Sequence, residues 1–284
     1  MPRRFIHAPQ GFRQFDTVDG CLVTSAKYKK CKVVSYGRKS EICTNYNISG
    51  ETIDKIESIK DLGVTFDNKL KFDDHIYNKI SKAYQMLGIV KRNFIYLTPD
   101  SFAILYKSMI RSHLEYAVSV WNPHYQSLIE KLEKIQKRAT KLVLTVKKLC
   151  YEERLRKLKL PTLKYRRIRG DMIEMYKIFA GKYDSEITEW ITGKCTERQY
   201  DTRNHRYRYA LQQSPIHYDI RKFSFSNRII PLWNSLPDNI VSSPTLNTFK
   251  ARLDKFWGNQ DIRYNWKADV LFTGSRSKVE LTVD

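Results

Sequence analysis

The sequence is short of acid. Its 284 residues carry 30 Asp and Glu against 51 Lys and Arg, a formal charge of +21. Such an excess repels itself in a compact chain, and a polyanionic partner is what offsets it. Nucleic acid is the first candidate and an anionic membrane surface the second. Long apolar runs are missing too. No stretch reaches the length that spans a bilayer, so no role as a membrane protein is expected. The opening Met1-Pro-Arg-Arg-Phe-Ile-His-Ala-Pro9 has charge without an apolar centre and does not read as a signal peptide. Cysteine is scarce: Cys21, Cys31, Cys43, Cys150 and Cys195 form no Cys-x-x-Cys pair and no zinc-spaced cluster. They read as reduced thiols of a nuclear or cytoplasmic protein that is not secreted. Recognisable catalytic partners are absent as well. Nothing marks a Ser, Cys or Lys nucleophile, and His75 and His113 fall in helical segments where a structural role is the simpler reading.

What is present supports a folded chain. Hydrophobic residues make up 42% and aromatics 13%, enough for one large domain or two modest ones. The first 27 residues lack periodicity and form an irregular start. Lys32-Val-Val-Ser-Tyr36 is β-like, Tyr46 to Ile53 reads as two short strands about Ser49-Gly50, and Ile59 to Phe66 reads as a third strand. Gly63 within that strand marks a bulge or a point where another backbone approaches.

From Phe72 the period becomes helical. Asp73 or Asp74 caps a helix with Ile76, Ile80, Ala83, Leu87 and Val90 at core spacing. Phe72-Asp73-Asp74 mimics a metal-binding Asp-Asp hairpin, but no apolar strands flank it, and the start of a helix explains it better. Thr98-Pro99-Asp100 opens a second helix with Phe102, Leu105, Tyr106, Met109, Ile110 and Leu114 inward. A central helix spans Ser127 to Val143: Leu128, Leu132, Ile135, Ala139 and Leu142 line one face. Lys131, Lys134, Lys137, Arg138 and Lys141 take the others, and Lys147 and Lys148 follow. From Lys131 to Arg169 the sequence holds fifteen Lys and Arg against three Glu. Such a run is either a solvated face of a bundle or a surface for phosphates. A fourth helix runs from about Thr162 to Ala180 and stops at Gly181. Beyond it come an Arg/Tyr segment, Arg203 to Tyr209, and an apolar block from Ile229 to Pro237. A last helix spans Leu246 to Trp257, and the tail beyond Gly258 is expected to be poorly ordered. The Arg/Tyr segment is either an exposed hairpin or, through Arg206, Tyr207 and Tyr209, a platform for base stacking. The fold class expected is α+β and mainly α. Its parts would be a short β region over 28–72, a helical bundle over 73–181, a C-terminal region over 182–257 and a tail over 258–284.

The order of motifs resembles the C-terminal part of a non-LTR (LINE-type, jockey-like) retrotransposon reverse transcriptase. The residues that carry the resemblance begin with Lys30-Cys31-Lys32, Lys60-Asp-Leu-Gly-Val64 and Leu70-Lys-Phe-Asp-Asp-His-Ile76. They continue with Leu105-Tyr-Lys-Ser108, Leu114-Glu-Tyr116, Val120-Trp-Asn-Pro123 and Leu132 to Thr140. Arg228, Trp233-Asn-Ser-Leu-Pro237 and Phe249-Lys250 complete the set. The resemblance implies that 28–72 is a late palm remnant, with Leu62, Gly63 and Val64 in a primer-grip-like position, and that 73–181 is thumb-like. It implies RNA and RNA–DNA template–primer duplexes as partners, together with a palm half from elsewhere. Lys131, Lys134, Lys137, Arg138, Lys141, Lys147 and Lys148 would meet the nucleic-acid backbone. The complete family enzyme polymerises DNA on RNA with magnesium held by palm carboxylates. Those carboxylates have no counterpart here, so the expectation is a truncated polymerase that binds no metal or other cofactor, has no catalytic residues, and is inactive alone. The rival expectation is a non-enzymatic basic module or scaffold that binds nucleic acid.

Overall fold

The computed structural model describes residues 6–7, 31–36, 46–48, 51–185, 188, 211–213 and 215–270. Within them the fold is α+β and mainly helical. It divides into two compact units, Met1–Tyr77 and Asn78–Asp284.

Among its described residues the first unit holds three two-stranded antiparallel ladders: β1 (Ile6–His7) with β2 (Lys32–Val33), β3 (Asn47–Ile48) with β4 (Glu51–Thr52), and β5 (Ser58–Asp61) with β6 (Val64–Asp67). The β3–β4 pair matches the two strands expected around Ser49-Gly50. The single strand expected over Ile59 to Phe66 is instead the β5–β6 hairpin. Its register, Asp61 opposite Val64 and Ser58 opposite Asp67, leaves Leu62 and Gly63 as a two-residue turn. Both have positive φ, 43° and 80°, the pattern of a type I′ turn, whose twist matches that of the flanking strands. Gly63 is therefore at a reversal, where its freedom at positive φ is used, rather than at a bulge.

After β6 the Asp67 carboxylate accepts backbone N–H bonds from Lys69, Lys71 and Phe72 at 2.7–3.1 Å. That loop carries Leu70 and Phe72 at positive φ, and the carboxylate holds it closed. Helix α1 (Asp73–Asn93) starts there, with Asp73 and Asp74 in its first turn, where acids favour the helix dipole. His75 is buried and its Nδ1 accepts the Thr65 N–H at 3.1 Å, a structural role.

Among the described residues the second unit is mainly helical. Helix α2 (Pro99–Leu105) opens as expected: the Thr98 hydroxyl accepts from Ser101 N–H, and Pro99 supplies the first turn. It runs into a π-helical turn, Tyr106–Arg111, then α3 (Ser112–Glu115) and α4 (Val118–Trp121). Helix α5 (Gln126–Ala139) stops four residues short of the expected Val143. It gives way to 3-10 turns at Thr140–Leu142 and Leu144–Val146, with Val143 extended between them. Helices α6 (Tyr151–Lys157) and α7 (Leu163–Phe179) follow. Short turns α8 (Asp219–Lys222), α9 (Phe225–Arg228), α10 (Ile230–Asn234) and α11 (Asp238–Val241) lead to α12 (Leu246–Phe256), which Thr245 caps.

No division falls at residue 181. Helix α7 packs on α4 and α5 and also on α12. One continuous core joins Met172, Met175 and Tyr176 of α7 to Trp233, Leu236, Phe249 and Leu253. Phe179 stacks on Trp233 at 5.0 Å and Tyr176 on Phe249 at 4.4 Å. The tail expected to be poorly ordered beyond Gly258 is built into this unit as far as Val270. Ile262 is fully buried and Trp266 nearly so, and Thr162 bonds twice to the chain there, through its N–H to Arg263 O and its hydroxyl to Ile262 O. Burial of Ile262 and Trp266 and those bonds offset part of the entropy of ordering the segment, a contribution that composition alone does not reveal.

Candidate nucleic-acid interface

Helix α5 is two-faced. Leu128, Ile129, Leu132, Ile135 and Ala139 are buried, and so are Glu133 and Gln136. At 100° per residue these cover about 160° of the circumference, while Lys131, Lys134 and Arg138 lie within about 60° on the opposite side. All three are exposed, and so is Lys141 in the turn that follows. From Lys131 to Lys141 the stripe is about 15 Å long, at 1.5 Å per residue. A duplex strand offers about one phosphate per 3.4 Å of axis, so roughly four phosphates span the same length. Lys147 and Lys148 are also exposed, just after the buried Val146 that pins the second 3-10 turn.

Lys137 lies apart from this stripe. It is partly buried, and its ammonium packs over the rings of Trp266, at 4.3 Å, and Tyr151, at 5.5 Å. Arg138 sits over the Tyr84 ring of α1 at 5.2 Å, which fixes the angle of its guanidinium while leaving it exposed.

Beneath the stripe lies a polar network that the sequence does not announce. The Glu133 carboxylate accepts from Tyr151 OH at 2.5 Å and Leu163 N–H at 3.1 Å. Gln136 accepts from Tyr106 OH at 2.5 Å and donates to Pro161 O at 3.0 Å. Burial pushes the Glu133 carboxyl above its ordinary range, although the Tyr151 hydrogen bond and the Arg167 charge oppose the shift. Burial also drives the hydroxyls of Tyr151 and Tyr106 upward. Arg154 is buried below, donating to the Thr140 hydroxyl and to Leu149 O. The network fixes α5 against α6 and α7, so the stripe stands on a rigid element. Its one advance signal was Glu133 and Gln136 lying on the apolar side of the helix.

A second cationic cluster surrounds a cavity of about 280 Å³ between α7 and the α3–α4 segment. There three arginines pair directly with acids. Arg166 forms a bidentate pair with Glu115, Arg169 pairs with Asp254, and Arg228 grips Asp171 at 2.9 and 3.0 Å. Asn122 also donates to Asp171. Arg167 is buried beside Glu133, Asp171 and Glu115, and burial pushes its guanidinium down to about 10. Most of these cations are held by acids and lie at least partly buried, whereas the α5 stripe is exposed.

Leu62 is exposed at the tip of the β5–β6 hairpin, Gly63 shares the turn, and Val64 is buried beneath it. Arg206, Tyr207 and Tyr209 lie outside the described residues. Asp73 and Asp74 are the first two residues of α1. They sit side by side at a helix start, and among the described residues no group of three His, Cys, Asp or Glu is placed to hold an ion. No described helix is long and apolar enough to cross a membrane. No family model matches the chain, and neither does any curated protein or solved structure.

Proposed function

We propose that the chain binds the phosphate backbone of an RNA–DNA or RNA duplex through the Lys131, Lys134, Arg138 and Lys141 stripe, as the thumb-like and C-terminal parts of a non-LTR reverse transcriptase. The observation that carries this reading is the rigid, exposed cationic stripe set opposite a buried helix face. Lys147 and Lys148 extend it. The dispersed motifs of the resemblance also meet one another in space. Tyr106 bonds Gln136, and Asn122 and Arg228 share Asp171. Backbone contacts of this kind hold a duplex without reading its sequence. In this reading the chain grips a template–primer and leaves phosphoryl transfer to carboxylates it does not itself supply.

The test is a titration of the purified chain against a labelled RNA–DNA duplex and a single-stranded RNA of matched length, at several salt concentrations. Duplex preference is expected, with affinity falling steeply as salt rises, by a slope of about 0.9 per phosphate contacted. Equal and salt-indifferent binding to both would contradict the reading. Primer extension by the chain alone with magnesium and nucleotides would contradict its catalytic half.

A further inference from the structure

Three large apolar side chains stand in solvent on the turn between α1 and α2: Phe94 is 43% exposed, Ile95 74% and Tyr96 85%. The turn is anchored on both sides. Leu97 is buried behind it, Thr98 caps α2, and Phe94 N–H bonds back to Val90 O. The three side chains therefore project from a held backbone. Nothing in their own energetics favours this, since exposed aromatic area of that size is usually kept for a partner.

The charge around the tip identifies that partner. Between Asp74 and Asp100 the sequence holds no Asp or Glu, but it holds Lys79, Lys82, Lys91 and Arg92. Lys91 and Arg92 form the last turn of α1, immediately before the tip, and both are exposed. Lys91 follows Tyr84 by seven residues, on the same face of the helix and about 10 Å further along its axis. Tyr84 is the residue under the Arg138 guanidinium. Cations thus run from the α5 stripe through Arg138 to Lys91 and Arg92, and end at Phe94, Ile95 and Tyr96. We propose that this tip stacks against an unpaired base, or the exposed face of a terminal base pair, at the end of the nucleic acid held by the stripe. The inference rests on the reading of that stripe and adds the point where the duplex stops. Phosphates beside Lys91 and Arg92 would bring a base π-face onto Phe94 or Tyr96, and such stacking tolerates any sequence.

The experiment uses the full chain and a duplex with a single-stranded overhang, carrying a fluorescent adenine analogue at the junction. Phe94→Ala and Tyr96→Ala, singly and together, are compared with wild type. Both side chains are exposed, so the variants keep their unfolding midpoints. Loss of one stack is expected to weaken binding about five- to a hundredfold, without changing the salt slope because no charge is removed. The quench of the junction base on binding is expected to disappear. Unchanged affinity and quench in the double variant would overturn the tip while leaving the stripe intact. Loss of vesicle binding or self-association in that variant, with nucleic-acid binding unchanged, would overturn it in favour of a lipid or protein partner. If wild type shows no salt-dependent binding, the stripe itself has failed, and the tip with it.

Discussion

Glu133 is the residue where the most is at stake. A carboxylate wholly inside the unit, beside Arg167 and under the Tyr151 hydroxyl, holds three elements together but loses its hydration. Its carboxyl titrates above the ordinary value in the fold, so the native state binds a proton more tightly than the unfolded chain. Stability from this group is therefore greatest when it is protonated, and declines as pH rises from about 4.3, the unfolded value, through the raised folded value. Glu133→Gln removes that dependence. Urea unfolding at pH 5 and pH 7 is expected to show a smaller loss on going to pH 7 in the variant than in wild type. An identical pH difference in both would contradict this. Leu62 is strained in the opposite sense, as a side chain at φ 43° on a hairpin tip. Leu62→Asn relieves that conformation and is expected to stabilise the hairpin by about 1 kcal/mol, read from denaturant midpoints. A less stable variant would mean that the leucine contributes packing that outweighs its strain.

Elements were legible where local chemistry alone decides them. Thr98-Pro99-Asp100 announced α2, and the spacing of Leu128, Leu132, Ile135 and Ala139 announced the buried face of α5. The hairpin at Leu62-Gly63 was missed because the usual Asn-Gly signal is absent, leaving an apolar run that reads as one strand. Glu133 and Gln136 were missed because their partners, Tyr151, Leu163, Tyr106 and Pro161, lie far away in sequence. The segment after Gly258 was missed for a related reason. Ile262 and Trp266 follow no period, and their places are given by partners distant in sequence, α7 and the shared core for Ile262 and Lys137 for Trp266. Trp266→Ala is expected to destabilise the second unit by about 3 kcal/mol, because it opens a cavity and strips the ring from beneath Lys137. A fall below about 0.5 kcal/mol in urea unfolding, the scale of ordinary surface substitutions, would show that the segment is merely laid against the surface.

At the scale of the whole molecule, the charge of +21 is not spread evenly. Arg166, Arg169 and Arg228 spend theirs on Glu115, Asp254 and Asp171, inside or beside the core. The stripe on α5 and the cations around Lys147 and Lys91 remain exposed. Composition raises the expectation of a polyanionic partner, and packing separates cations that build the fold from cations presented outward.

The most direct measurement compares wild type with a Lys134→Ala, Arg138→Ala, Lys141→Ala variant, binding one RNA–DNA duplex across a series of salt concentrations. All three residues are exposed, so their unfolding midpoints should stay close together. A stripe that holds phosphates predicts weaker binding by the variant and a slope of log affinity against log salt that is shallower by about 2.7, or 0.9 for each phosphate no longer neutralised. An unchanged slope in a folded variant would contradict it, because the helix would then bear charge that touches no phosphate.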